Sequence, residues 1–121
     1  MVKALFDTNI LIDFLNGIAA AKAELDLYQE KAISAITWME VQVGTTPQGQ
    51  AAVDRFLARF TVLPIDERVS QRAVVLRKEK NIKLPDAIIW ATAQVDSRLF
   101  VTRNSKDFTI SNPGVRHPYA V

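Results

Sequence analysis

The chain has 121 residues, a formal net charge of +2, 49% hydrophobic and 23% charged residues, and no cysteine. That length suits one domain, residues 1–121, of the common size of about 100–150 residues, and the apolar share is enough for a packed core, which excludes a disordered chain. The lack of cysteine excludes disulfides and thiolate metal sites and accords with a cytoplasmic protein, while no apolar run reaches the roughly 18 residues of a membrane span and MVKALFDTN turns polar too early for a signal peptide.

VKALF (2–6) is a short apolar run that stops at Asp7, the pattern of a buried strand. Ile10, Leu11, Phe14 and Leu15 follow at helical spacing to about Gly17. A second helix is expected from about Ile18 to Glu30, with Ala21, Leu25 and Tyr28 inward. AISAI (32–36) reads as a second buried strand, and Thr37 as the start of a helix running through Val43 and closed by Gly44. Thr46-Pro47 is an N-cap followed by a first-turn proline; the helix it opens carries Val53, Phe56, Leu57 and Phe60 on one face. TVLPI (61–65) is a third strand. Asp66 then caps a helix to about Lys80 whose inner face holds Val69, Ala73 and Leu76.

In KLPDAIIWATA (83–93), Pro85 suits the first helical position and Asp86, one step inside, complements the helix dipole. Ile88, Ile89, Trp90, Ala91 and Ala93 leave this helix (about 85–95) without an obvious polar face, so it should be buried on most sides. RLFVT (98–102) is a fourth strand, and VRH (115–117) a possible edge strand. Short apolar runs alternating with helices predict the α/β class, doubly wound, with a parallel sheet covered on both faces.

In such sheets, sites form beyond the carboxyl ends of the strands. Asp7 ends the first strand, Glu40 is expected in the first turn after the second, and Asp107 follows the fourth across RNSK. Asp86 joins them if its helix starts at the same end. Each has a bland explanation: Asp7 opens a helix, Thr37 and Glu40 form a capping box, Asp86 complements a dipole, and Asp107 is a turn residue. Taken together they are harder to dismiss. Two carboxylates about 4 Å apart repel by roughly 4 kcal/mol at an effective dielectric near 20, so four on one rim call for a cation or a proton. Oxygen ligands without cysteine point to a hard ion, Mg²⁺ or Mn²⁺. Arg68, Arg72, Arg77, Lys78, Lys80 and Lys83 crowd one stretch, either as a solvated helix face or as a phosphate-tracking rim that Arg103, Lys106 and Arg116 extend. The lone His117 reads as a surface or edge residue.

FDTNILIDFL (6–15), SAITWMEVQVG (34–44), LPDAIIWATA (84–93) and FVTRNSKDF (100–108) together resemble the PIN-domain ribonucleases, most of all the VapC toxins of bacterial toxin–antitoxin pairs, and FLARFTVLPIDERVSQRAVVLR (56–77) has the same look. The resemblance implies a three-layer α/β/α fold with a central parallel sheet. It implies a Mg²⁺- or Mn²⁺-dependent endoribonuclease, a homodimer that arrests translation and growth until a small VapB-type antitoxin neutralises it. Asp7, Glu40, Asp86 and Asp107 match the family's acidic quartet, with Asp7 and Asp86 as metal ligands, Asp107 completing the metal cluster directly or through water, and Glu40 orienting or deprotonating water. Asn9, Thr102 and Asn104 fall where the family has small polar residues near the cluster. Transfer RNA and ribosomal RNA are candidate substrates, with Arg103, Lys106 and Lys83 nearest the site to hold them. Trp90 is bulkier than the small residue expected at its position. The alternatives are a catalytically silent PIN-like module that binds RNA or acts as a scaffold, and a haloacid-dehalogenase phosphatase, whose second aspartate is here Asn9.

Overall fold

Alternation along the first strand sets the layers: Ala4 and Phe6 pack into one core while Leu5 between them packs into another. The computed structural model describes residues 2–120. In chain order the elements are β1 (Lys3–Phe6), α1 (Thr8–Leu15), α2 (Ala19–Asp26), β2 (Glu30–Ser34), α3 (Ala35–Val43), α4 (Gln50–Leu57), β3 (Thr61–Leu63), α5 (Glu67–Lys80), α6 (Leu84–Val95), β4 (Leu99–Val101) and β5 (Val115–Arg116). The strands form one sheet in the order β3-β2-β1-β4-β5, with every neighbouring pair parallel. One face is covered by α1, α2 and α4 through Ile10, Leu11, Leu25, Val53, Phe56 and Leu57. The other is covered by α5 and α6 through Val69, Leu76, Ile89 and Trp90. This is the expected α/β/α sandwich. Aromatic rings fill both layers: Phe6 meets Tyr28 and Phe60 edge-on, and Phe108 sits between Trp90 and Phe100 in edge-to-face contacts of 5.3 and 4.9 Å. The bulk of Trp90 is thus absorbed by Phe108.

Helix α2 ends at Asp26, short of the expected Glu30, which instead opens β2. Three further boundaries differ from expectation, each for a local reason. The second strand ends at Ser34, whose Oγ accepts the Ile36 N–H as an N-cap, so Ala35 and Ile36 begin α3. Helix α3 therefore starts two residues before Thr37, there is no capping box, and Glu40 lies in the second turn. Thr46 caps only a single turn, its Oγ1 accepting the Gly49 N–H, and regular α4 starts at Gln50 and ends at Leu57. The third strand stops at Leu63, because Pro64 has no N–H to give the sheet. The tail does supply an edge strand, β5, paired parallel to β4.

Candidate active site

Strand order reverses beside β1: the chain steps outward through β2 and β3, then returns to lay β4 on the other side. A crevice opens where two adjacent parallel strands send their following segments apart. Asp7 leaves β1 at that point, and its N–H donates to Val101 O at 2.9 Å. It is the N-cap of α1, with Oδ1 accepting the Thr8 N–H at 2.8 Å. Its Oδ2 accepts the Thr102 hydroxyl at 2.8 Å and Asn9 Nδ2 at 3.3 Å. Thr102, directly after β4, is fully buried. The bland role of Asp7 is thus real, but an N-cap carboxylate that is only 5% exposed needs more donors than a helix start supplies.

Around Asp7 the other three acids are each steered by a hydroxyl, an amide or a charge. The Thr8 hydroxyl donates to Glu40 Oε1 at 2.7 Å and lies 3.0 Å from the buried Thr37 hydroxyl, tying α1 to α3. Asn104 donates Nδ2 to Asp107 Oδ2 and accepts the Asp107 N–H on Oδ1, both at 3.1 Å. Its own N–H is held by Thr102 Oγ1 at 3.0 Å. Asp86, half-buried in the first turn of α6, feels the charges of Asp107 and Glu40, with Lys83 opposing them. Helix α6 therefore starts at the carboxyl end of the sheet, the condition for Asp86 to share the rim.

The electrostatics reflect crowding. Burial pushes the Asp7 carboxyl up to about 6, with Asp86 and Glu40 adding to the rise and the bonds from Thr102 and Thr8 opposing it. Burial, then Asp107 and Glu40, also raise Asp86. An all-oxygen donor set carrying uncompensated negative charge fits a hard divalent cation. The side chains are not clustered for one in advance: among the described residues no three acidic or histidine side chains form a metal-ready group. Asp7, Glu40 and Asp107 are instead turned onto neighbouring hydroxyls, amides or N–H groups, so a cation would have to draw the acids together.

Asp7, Glu40, Asp86, Asp107, Asn9, Thr102 and Asn104 share this rim. Lys83 and Lys106 flank it, both exposed. Arg103 differs from expectation: its guanidinium fork is committed to the buried Asp13, leaving only a third of its side chain exposed. Arg116 is likewise held by Glu24 through a bidentate fork, so Arg103 and Arg116 are already paired with buried acids, while Arg72 donates Nε to Gln94 Oε1. His117 is half-buried, and its Nε2 is buried without a hydrogen-bond partner. Reading the sequence missed Thr8 and Thr37, whose role depends wholly on tertiary contact.

Residues 4–109 match the family model described as the PIN domain. Among solved structures, the chain is 47% identical to a chain of a toxin–antitoxin complex from Klebsiella pneumoniae, covering 98% of this chain and 100% of that one at a TM-score of 0.91. It is 26% identical to a chain of DNA-bound VapBC from Salmonella typhimurium, covering 96% of each at a TM-score of 0.80. It is 25% identical to a chain of FitAcB from Neisseria gonorrhoeae, covering 98% and 99% at a TM-score of 0.81. No curated protein matches.

Proposed function

This chain belongs to the PIN-domain family, and from that premise we propose that residues 1–121 act as one metal-dependent endoribonuclease domain, the VapC-type toxin of a toxin–antitoxin pair. The observation that carries the reading is the raised Asp7 carboxyl in a rim shared with Asp86, Glu40 and Asp107. Asp7, Asp86 and Asp107 would hold Mg²⁺ or Mn²⁺. When bound, the ion supplies a polarised water and offsets phosphodiester charge. Glu40 Oε1 is anchored by Thr8, so Oε2 would be free to orient an attacking water and accept its proton. Thr102, Thr8 and Asn9 hold Asp7 as the ionised acceptor. Lys83 and Lys106 would meet backbone phosphates beside the site.

One further feature suits a polymer substrate: the acids lie on an open rim, and the hollow of about 440 Å³ bordered by Val2, Leu27, Tyr28 and Leu99 lies elsewhere. Attack by a water held at the acids would leave 3′-hydroxyl and 5′-phosphate ends. The neighbouring toxin–antitoxin complexes support an antitoxin partner for this chain, and no helix among the described residues is long and apolar enough to cross a membrane. We further propose that the chain is a cytoplasmic homodimer and that its RNA substrates are transfer or ribosomal RNA.

The test is incubation of the purified chain with structured RNA in Mg²⁺ or Mn²⁺, beside EDTA and Asp86→Asn. Cleavage should fall at least about a hundredfold in both controls, and sequenced ends should carry 5′-phosphates. Cleavage that survives chelation and the substitution, or ends bearing 2′,3′-cyclic phosphate, would sink the mechanism. RNA bound but never cut would favour the silent RNA-binding module instead.

A further inference from the structure

Behind Asp7 runs a path of polar contacts that carboxylate chemistry alone does not require. Asn9 donates Nδ2 to Asp7 Oδ2 at 3.3 Å and accepts the backbone N–H of Arg103 on Oδ1 at 3.2 Å. The Arg103 side chain lies flat on Asp13, with Nε to Oδ2 at 2.7 Å and Nη2 to Oδ1 at 3.0 Å. Asp13 is 6% exposed, and its Oδ2 accepts a third bond, from the Tyr119 hydroxyl at 2.9 Å. The path joins α1, the segment after β4 and the C-terminal tail. Tyr119 lies outside the residues matched by the family model.

The chemistry of the Asn9 amide gives this path a direction. An amide presents an acceptor on one side and donors on the other. With the Arg103 N–H occupying its oxygen, the amide nitrogen is left facing Asp7. A flipped Asn9 would set its Nδ2 against the Arg103 N–H and its oxygen against the Asp7 carboxylate, losing both bonds. The orientation therefore depends on where the Arg103 main chain sits. That main chain is anchored by a bidentate, charge-assisted fork on a buried carboxylate, the strong form of this contact, and Tyr119 occupies a further acceptor position of that carboxylate.

We propose that Asp13, Arg103 and Tyr119 are positioning residues: they hold the Arg103 N–H so that Asn9 presents a donor to Asp7, presetting that carboxylate for a divalent cation. The inference rests on the metal-nuclease reading and adds to it a device that runs from the C-terminal tail to the site. A plain structural staple would contribute stability and leave ion affinity alone.

Calorimetric titration of Mn²⁺ into the full chain, without RNA, separates the two. Asn9→Ala and Arg103→Leu are each expected to weaken Mn²⁺ binding about tenfold. The double variant should stay near tenfold, because Arg103 acts through Asn9. Arg103→Lys, which keeps a charge on Asp13 without the fork, should fall between wild type and Arg103→Leu. Independent losses that multiply to about a hundredfold, or Arg103→Leu binding Mn²⁺ like wild type while melting earlier, would overturn the proposal. If Arg103→Leu does not fold, Tyr119→Phe replaces it in the cycle. It removes one oxygen and should cost about threefold, again without adding to Asn9→Ala; an additive loss, or none, counts against the path. A wild type that takes up no Mn²⁺ refutes the metal reading itself, and the inference with it.

Discussion

Replacing Asp7 with asparagine should change how stability depends on pH in the metal-free chain. The carboxyl is buried, and its pKa stands at about 6 against an ordinary 3.8, chiefly through burial and then through Asp86 and Glu40. A carboxyl raised on folding binds its proton more tightly in the folded state. Its stabilising contribution is complete below about 3.8 and is lost as pH rises through about 6. A shift of about 2 units corresponds to about 3 kcal/mol, of which about 2 kcal/mol falls between pH 4.5 and pH 8. The substituted amide cannot titrate, so the variant should lack that loss. The amide also meets Thr102 and Asn9 less well than a carboxylate does, but this fixed cost cancels when the two pH values are compared for each protein. Urea unfolding in EDTA at pH 4.5 and pH 8 measures the difference. The wild-type midpoint should fall by about 1 M more than that of Asp7→Asn, given slopes of about 1–3 kcal/mol/M. Midpoints that fall in parallel would show that Asp7 is not the strained carboxyl and that the rim has no need of a cation to hold its charge. Mg²⁺ at about a hundred times its dissociation constant should return roughly 3 kcal/mol to the wild type at pH 8 and much less to the variant.

Other substitutions probe the scaffold under the rim. Trp90→Ala removes a side chain that is 3% exposed and packed against Phe108; it should cost about 3–5 kcal/mol in chemical denaturation and loosen the neighbouring Asp107, seen as weaker Mn²⁺ binding. Arg116→Ala strands Glu24, a buried acid, with only the Tyr28 hydroxyl as partner. Because Arg116 is partly exposed, the loss should be about 2 kcal/mol, below the usual range for a fully buried pair, with Mn²⁺ affinity unchanged. Ser34→Ala removes the N-cap of α3 and should cost about 1 kcal/mol by thermal or urea unfolding.

The order of strands and helices was legible because each strand is a short apolar run between helical patterns, and burial on both faces of a parallel sheet demands that. The β2–α3 boundary was not, since AISAI is apolar but for Ser34, which is buried and caps the helix from inside the run. Periodicity cannot separate a buried strand from a buried helix over five residues. The same limit hid the turn at Thr46–Gly49, where the N-cap and proline signals were present but the helix began only at Gln50.

The acids of the rim were readable because the topology sends strand ends to one edge, and each quartet member lies shortly after a strand or at a helix start. Of the residues around them, Asn9, Thr102 and Asn104 were named only through the resemblance, and Thr8 and Asp13 not at all, because each of these acquires its role from a partner far along the chain: Thr8 from Glu40, Asp13 from Arg103. One signal was nonetheless present. Asp13 interrupts ILIDFL and Glu24 stands beside Leu25 on α2, so each is an acid carried into an apolar layer. An unpaired carboxylate there costs several kcal/mol, so each position announces a cation that must arrive from elsewhere. Arg103 and Arg116 are those cations, which is why arginines that look suited to an RNA rim are spent inside the fold.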